Sequence, residues 1–144
     1  MSDPYDLERF VNAQAPIYDR ALAEITRGRK QSHWMWFVFP QFAGLGFSDM
    51  SRRFAIATLA EARAYLAHPL LGARLTECAE AVLNVKDASA LAIFGSPDDM
   101  KLRSSATLFA AVSPPGSVFH RLLDAYFGGM EDRETMRLIE SGGS

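Results

Sequence analysis

Ser32-His33-Trp34-Met35-Trp36-Phe37-Val38-Phe39-Pro40-Gln41-Phe42-Ala43-Gly44-Leu45-Gly46-Phe47 is the segment on which the fold of this chain turns. It holds both tryptophans, four of the ten phenylalanines, one of the three histidines and a Gly-Leu-Gly turn. By periodicity, the six consecutive large apolar residues from Trp34 to Phe39 fit a buried strand and a buried helical turn equally well. The surrounding sequence offers no second strand to pair with, so a helix is expected. Pro40 disfavours helical backbone at Phe39, and the element should end near there. Gly44 and Gly46 then allow a tight loop, and Ser48 can cap a short helix through Phe54 and Ile56.

Working outward, residues 6–13 read as a short helix capped by Asp6, with Leu7, Phe10 and Val11 on one face. Pro16 opens a second helix, with Ile17, Ala21, Leu22 and Ile25 as its apolar stripe and Gly28 at the left-handed position after its end. Thr58 and Glu61 have the spacing of a capping box at the start of a helix to about Ala67. Pro69 starts another, in which Leu71, Leu75, Cys78 and Val82 fall at steps of four, three and four. Ser89 caps one turn ended by Gly95. Ser96-Pro97 restarts the chain as a helix with Asp98 and Asp99 in its positive first turn. Ser117 opens a helix ended by Gly128-Gly129, and Asp132 caps the last. Residues 1–5 and 141–144 are expected to be flexible tails. No segment alternates apolar and polar residues for long, so the expected fold is all-α: one compact domain of seven or more short helices spanning 1–144.

Composition narrows the function classes. The chain has 144 residues, 49% of them apolar, enough for one core that buries about two thirds of the unfolded surface. With 15 basic and 17 acidic residues, the net charge of −2 supplies no field to attract a polyanion, so nucleic acid is not expected as a partner. No apolar run is long enough to span a bilayer, and the polar, acidic N-terminus is unlike a signal peptide. A single cysteine, Cys78, fits a reducing compartment, and a cytoplasmic location is expected. On its apolar stripe it reads as a buried, inert thiol.

Chemistry-bearing residues fall in two places. On the Pro97 helix, Lys101, Ser104 and Ser105 share one arc beside an apolar arc of Leu102, Ala106 and Phe109. Such a stripe can form a pocket wall, with the lysine pairing a carboxylate or phosphate and the serines donating nearby, or it can be a solvated helix face. On a helical aromatic stretch, His33 and Trp36 lie one turn apart and can line a common cavity, with His33 able to move a proton near pH 7; equally, both can be plain core. Gln41 can present its amide to a base or ribose, or simply hold the loop. Asp98 and Asp99 point about a hundred degrees apart and are no ready-made carboxylate dyad. Gly44-Leu45-Gly46 begins like a dinucleotide fingerprint but has Asp49 where the third glycine belongs. Wide spacing of His33, His68 and His120 argues against a metal site, and no cofactor is expected.

The order of motifs identifies the chain further. His33-Trp34-Met35-Trp36-Phe37, Phe39-Pro40-Gln41, Gly44-Leu45-Gly46, His68-Pro69, Ile93-Phe94-Gly95 and Lys101-Leu102-Arg103-Ser104-Ser105 together resemble the DUF1810 family, over about residues 7–139. Ala106 departs from the pattern, which usually has Met before Thr107. This resemblance implies a multihelical domain of bacterial origin with no settled activity. The layout is also similar to that of the NADAR group of ADP-ribose-processing proteins, which joins an aromatic-Gln segment to a later lysine-bearing helix. Two functions from different classes are consistent with these features. In the first, the protein binds or hydrolyses a nucleotide or ADP-ribose-type small molecule, as an N-glycosidase would: Trp36 stacks on the base, Gln41 reads its edge, Lys101, Ser104 and Ser105 hold phosphate, and His33 or Asp98 is acid or base. In the second, it is a non-catalytic interaction module whose aromatic stretch forms a partner surface.

Overall fold

The computed structural model describes residues 3–142. Ten helices follow one another along these residues: α1 (Glu8–Gln14), α2 (Tyr18–Thr26), α3 (Met35–Val38), α4 (Asp49–Arg53), α5 (Leu59–Ala67), α6 (Leu71–Leu83), α7 (Ala90–Phe94), α8 (Asp98–Ala110), α9 (Val118–Phe127) and α10 (Arg133–Gly142). Among them the only β pairing is an isolated parallel bridge between Phe42 and Ile56, and the fold is all-α. Ser141 and Gly142 belong to the last turn of α10; residues 1–2 and 143–144 of the expected tails lie outside the described residues. No helix among the described residues is long and apolar enough to cross a membrane.

Local chemistry starts and stops these helices. The hydroxyls of Ser48, Thr58, Ser89 and Ser117 each accept a hydrogen bond from the backbone N–H three residues on, satisfying an otherwise orphaned donor. Thr58 and Glu61 form only half of a capping box: Glu61 accepts from the Ala57 N–H at 3.0 Å rather than from Thr58. Its other carboxylate oxygen is held by Arg9 at 2.9 Å. Asp6 is not the cap of α1. Its φ of +50° turns the chain there, and the carboxylate of Asp3 takes the Leu7 and Glu8 N–H groups. His68 caps α6 instead of Pro69 opening it, its Nδ1 accepting from the N–H groups of Leu70 and Leu71. The helix after Ser48 ends at Arg53, short of Ile56, because Ile56 is drawn into the bridge with the aromatic loop.

Two thirteen-residue helices, α6 and α8, form the centre. The first is flanked by α2, α3, α5 and α9, the second by α5, α7, α9 and α10. Leu71, Leu75, Cys78 and Val82 are buried along α6 as their spacing predicts. Gly72 lets α6 approach α5, since a Cβ at that position would run into the Leu66 carbonyl. Every residue from Ser104 to Ala110 of α8 is buried, the polar ones included, because helices cover it on all sides there. The two-sided amphipathic helix read from the sequence therefore holds only for its first turn. Small side chains at 104–107 permit that close approach.

The aromatic stretch is one helical turn laid into the core. Trp34, Met35, Phe37, Val38, Phe39 and Phe42 are all buried, and Trp34 meets Phe39 and Phe94 at ring-centroid distances of 6.5 and 6.3 Å. The turn begins at Met35, so His33 precedes the helix and is exposed rather than stacked one turn below Trp36. The cause is Glu24 of α2. Its buried carboxylate accepts from the Gln31 and Ser32 N–H groups, each at 2.9 Å, from the Ser32 hydroxyl at 2.7 Å and from the Trp34 indole at 2.9 Å. Residues 31–34 are thus wrapped around one acceptor before the helix can start. Burial alone would raise the Glu24 pKa, but the hydrogen bonds from Gln31, Ser32 and Trp34 outweigh it and hold the carboxyl at about 2. At the other end of the turn, the Gln14 amide donates to the Phe37 carbonyl at 2.6 Å.

Candidate functional site

Beyond Pro40 the chain is pinned at the base of a loop. Ile56 N–H donates to the Gln41 carbonyl at 2.9 Å and Ala43 N–H to the Ile56 carbonyl at 2.8 Å. Gly44, at φ +101°, turns the chain back, and Gly46 sits where a Cβ would strike the Ser51 side chain. The loop so fixed faces the first turns of α8 and the start of α10 across a cleft of about 250 Å³. Gln41, Leu45, Gly46 and Ser51 line one side, Pro97, Met100, Lys101 and Ser104 the other, and Asp132 and Glu134 close the end.

Lys101 is the cation of this cleft. Its ammonium lies 3.4 Å from Asp98 Oδ1 and 5.1 Å from the Trp36 ring centroid. An ammonium has three donors, so most of its capacity stays open to a ligand. Asp98 is shared: its other oxygen is 2.9 Å from the Lys30 ammonium, itself 5.0 Å from the Trp34 ring centroid. Both carboxylate oxygens of Asp98 are thereby occupied by lysines, and the group fixes Lys101 rather than facing the hollow. Trp36 is half-buried and carries Lys101 on its ring, outside the lining itself.

Ser104 lies within hydrogen-bond distance of the Met100 carbonyl (3.1 Å) and of Asp132 Oδ2 (3.2 Å). A hydroxyl has one proton, so Ser104 is committed inside the protein and offers a ligand lone pairs only. Asp132 caps α10, its Oδ2 accepting from the Thr135 N–H at 3.0 Å and the Thr135 hydroxyl at 2.5 Å. Its backbone N–H donates in turn to Thr107 at 2.9 Å. The remaining oxygen, Oδ1, makes no hydrogen bond to any described residue. Ser105 is buried, does not line the cleft, and its hydroxyl has no partner among the described residues. His33 also lies outside the lining.

Among the residues named from sequence, the fold therefore brings Gln41, Lys101 and Ser104 to one cleft, with Trp36 and Asp98 behind Lys101. Asp132 and Glu134 are the lining groups that sequence reasoning missed. Asp132 was legible as a helix cap, and that role hid its second face. The cleft's assembly from four separated segments also distinguishes it from three larger hollows, of about 400, 510 and 450 Å³. In those hollows Arg137 pairs with Glu134, Asp3 and His68 serve as caps, and Arg121 pairs with Glu80. The Ser117 hydroxyl in the α9 region lies 2.7 Å from His120 Nδ1, but its oxygen is the cap of that helix. Burial pushes the Cys78 thiol up to about 12 despite its contact with the Tyr18 hydroxyl, so it is no nucleophile at neutral pH. Among the described residues no three His, Cys, Asp or Glu side chains gather as metal ligands do.

A family model described as "Protein of unknown function (DUF1810)" matches residues 4–139. Among solved structures, the conserved hypothetical protein Rv1873 from Mycobacterium tuberculosis is 52% identical to this chain and superposes with a TM-score of 0.95. The match covers 97% of this chain and 100% of that one. No curated protein matches.

Proposed function

The chain belongs to the DUF1810 family, described as of unknown function, and from that premise we propose that it binds, in the cytoplasm, the ribose-phosphate part of a nucleotide or ADP-ribose-type molecule. One observation carries this reading: a single small cleft is lined together by Gln41, Lys101, Asp132 and Glu134, the last paired with Arg137. A bare polyanion would be repelled by the two acids. A sugar phosphate uses both signs, its phosphate accepting from Lys101 and its hydroxyls donating to the carboxylates. A cleft of about 250 Å³ is below the roughly 300–1,000 Å³ of pockets that enclose a whole drug-sized ligand, so the rest of the molecule lies outside it.

Roles follow from geometry. Lys101 takes the phosphate, Asp98 and Trp36 hold Lys101, Gln41 reads a polar edge, and Ser104 orients Asp132. Hydrolysis at this place would be N-glycosidic: water bonds to the ribose anomeric carbon as the carbon–nitrogen bond breaks, and a proton passes to the departing nitrogen. Asp132, with Oδ1 unengaged, serves as the acid-base group in that reaction, since Asp98 is bound on both oxygens by lysines, Glu134 on both by Arg137, and His33 stands apart. The NADAR-like layout is consistent with such a substrate.

Thermal shift with a panel of ribose 5-phosphate, AMP, ADP-ribose and NAD tests the reading. Phosphorylated ribosides are expected to raise Tm by about 5–10 °C at a hundredfold excess over Kd. A flat panel, or a response to inorganic phosphate as large as to ribose 5-phosphate, contradicts ribose-phosphate recognition.

A further inference from the structure

We propose that Phe47 and Met100 form a stacking subsite for the planar base of a nucleotide whose ribose phosphate occupies the cleft; this rests on the reading of the cleft given above. Five large apolar side chains are exposed among the described residues; one of them lines this hollow and a second follows a lining residue in the chain. Met100, 44% exposed, lines it from α8, while Phe47, 79% exposed, directly follows the lining residue Gly46 on the facing loop. Lys101 and Asp132 in the cleft thus have an exposed apolar side chain beside them on α8 and another next to the lining on the facing loop, as a molecule with a charged sugar end and a flat aromatic end requires.

The backbone around Phe47 is fixed on both flanks. Gly46 lies against Ser51, and the Ser48 hydroxyl accepts from the Ser51 N–H at 3.1 Å. An exposed ring on a fixed backbone loses little freedom when a base stacks on it. A methionine opposite adapts its thioether to a flat π surface. The ring of Trp36 already carries the Lys101 ammonium at 5.1 Å and lies outside the lining, which leaves the base to Phe47.

AMP and ribose 5-phosphate differ only by the base, so calorimetric titration of both separates the subsite from the cleft. The native protein is expected to bind AMP about tenfold more tightly than ribose 5-phosphate. Phe47→Ala should erase that ratio with ribose 5-phosphate affinity unchanged, and Phe47→Trp should restore it. The subsite is overturned if ribose 5-phosphate binds and Phe47→Ala leaves the AMP preference intact or weakens both ligands equally. If neither ligand binds the native protein, the cleft reading fails and the subsite falls with it.

Discussion

Glu24→Ala is expected to destabilise the protein by roughly 3–5 kcal/mol, because three N–H donors that now share one buried carboxylate oxygen would be left without an acceptor. That corresponds to a Tm lower by about 10 °C or more for a chain of this size. Glu24→Gln keeps an acceptor in place and should cost less, about 1–3 kcal/mol, the part due to charge. The two variants differ from the native protein in pH dependence as well. The folded pKa of Glu24 is about 2 against an ordinary 4.5, so the folded state binds the proton more weakly than the unfolded chain. Its contribution, on the order of 3 kcal/mol, is complete above pH 4.5 and is lost as pH falls towards 2. Urea melts of native protein and Glu24→Gln between pH 7 and 2 should therefore converge in acid. A gap that stays constant across that range would remove Glu24 as the source.

Lys101→Ala is expected to weaken binding of a phosphorylated riboside about a hundredfold. One charge-assisted contact in a partly enclosed site is worth about 1.5–3 kcal/mol. The fold should tolerate the change, since Asp98 keeps Lys30 at 2.9 Å and the Trp36 ring stays half-buried. Lys101→Arg should recover only part of the affinity, as a planar guanidinium replaces a compact ammonium that must sit between Asp98 and Trp36. Calorimetry reads the affinity, and the unliganded Tm separates it from folding. Undiminished affinity in Lys101→Ala would take phosphate binding out of the account.

Much of the helical layout was legible because it is written locally. A serine or threonine cap marked α4, α5, α7 and α9, and glycines marked the ends of α2, α7 and α9, at φ of +78° for Gly28, +75° for Gly95 and +62° for Gly128. What failed was long-range. Glu24 sits mid-helix with no local signal of its role; only the return of residues 31–34 makes it a buried acceptor, and that return also shifted the start of α3 past His33. Ser105 lies on the same arc as Lys101, yet α8 is covered on all sides by that point. Gln41 and Lys101 were expected to act on one ligand, but the Phe42–Ile56 bridge that fixes the loop across from α8 has no local signal. Asp132, 28 residues after Ser104, joined them through a contact with no trace in periodicity.

Amide NMR of the native protein during titration with AMP tests the location of the site most directly. The expected result is a saturable set of shifts at the Gln41 side-chain amide and at the backbone of Leu45, Gly46, Lys101 and Ser104. Shifts confined to Met136 and Glu140 on α10, or to Tyr5 and His68, would place any binding elsewhere and contradict the account.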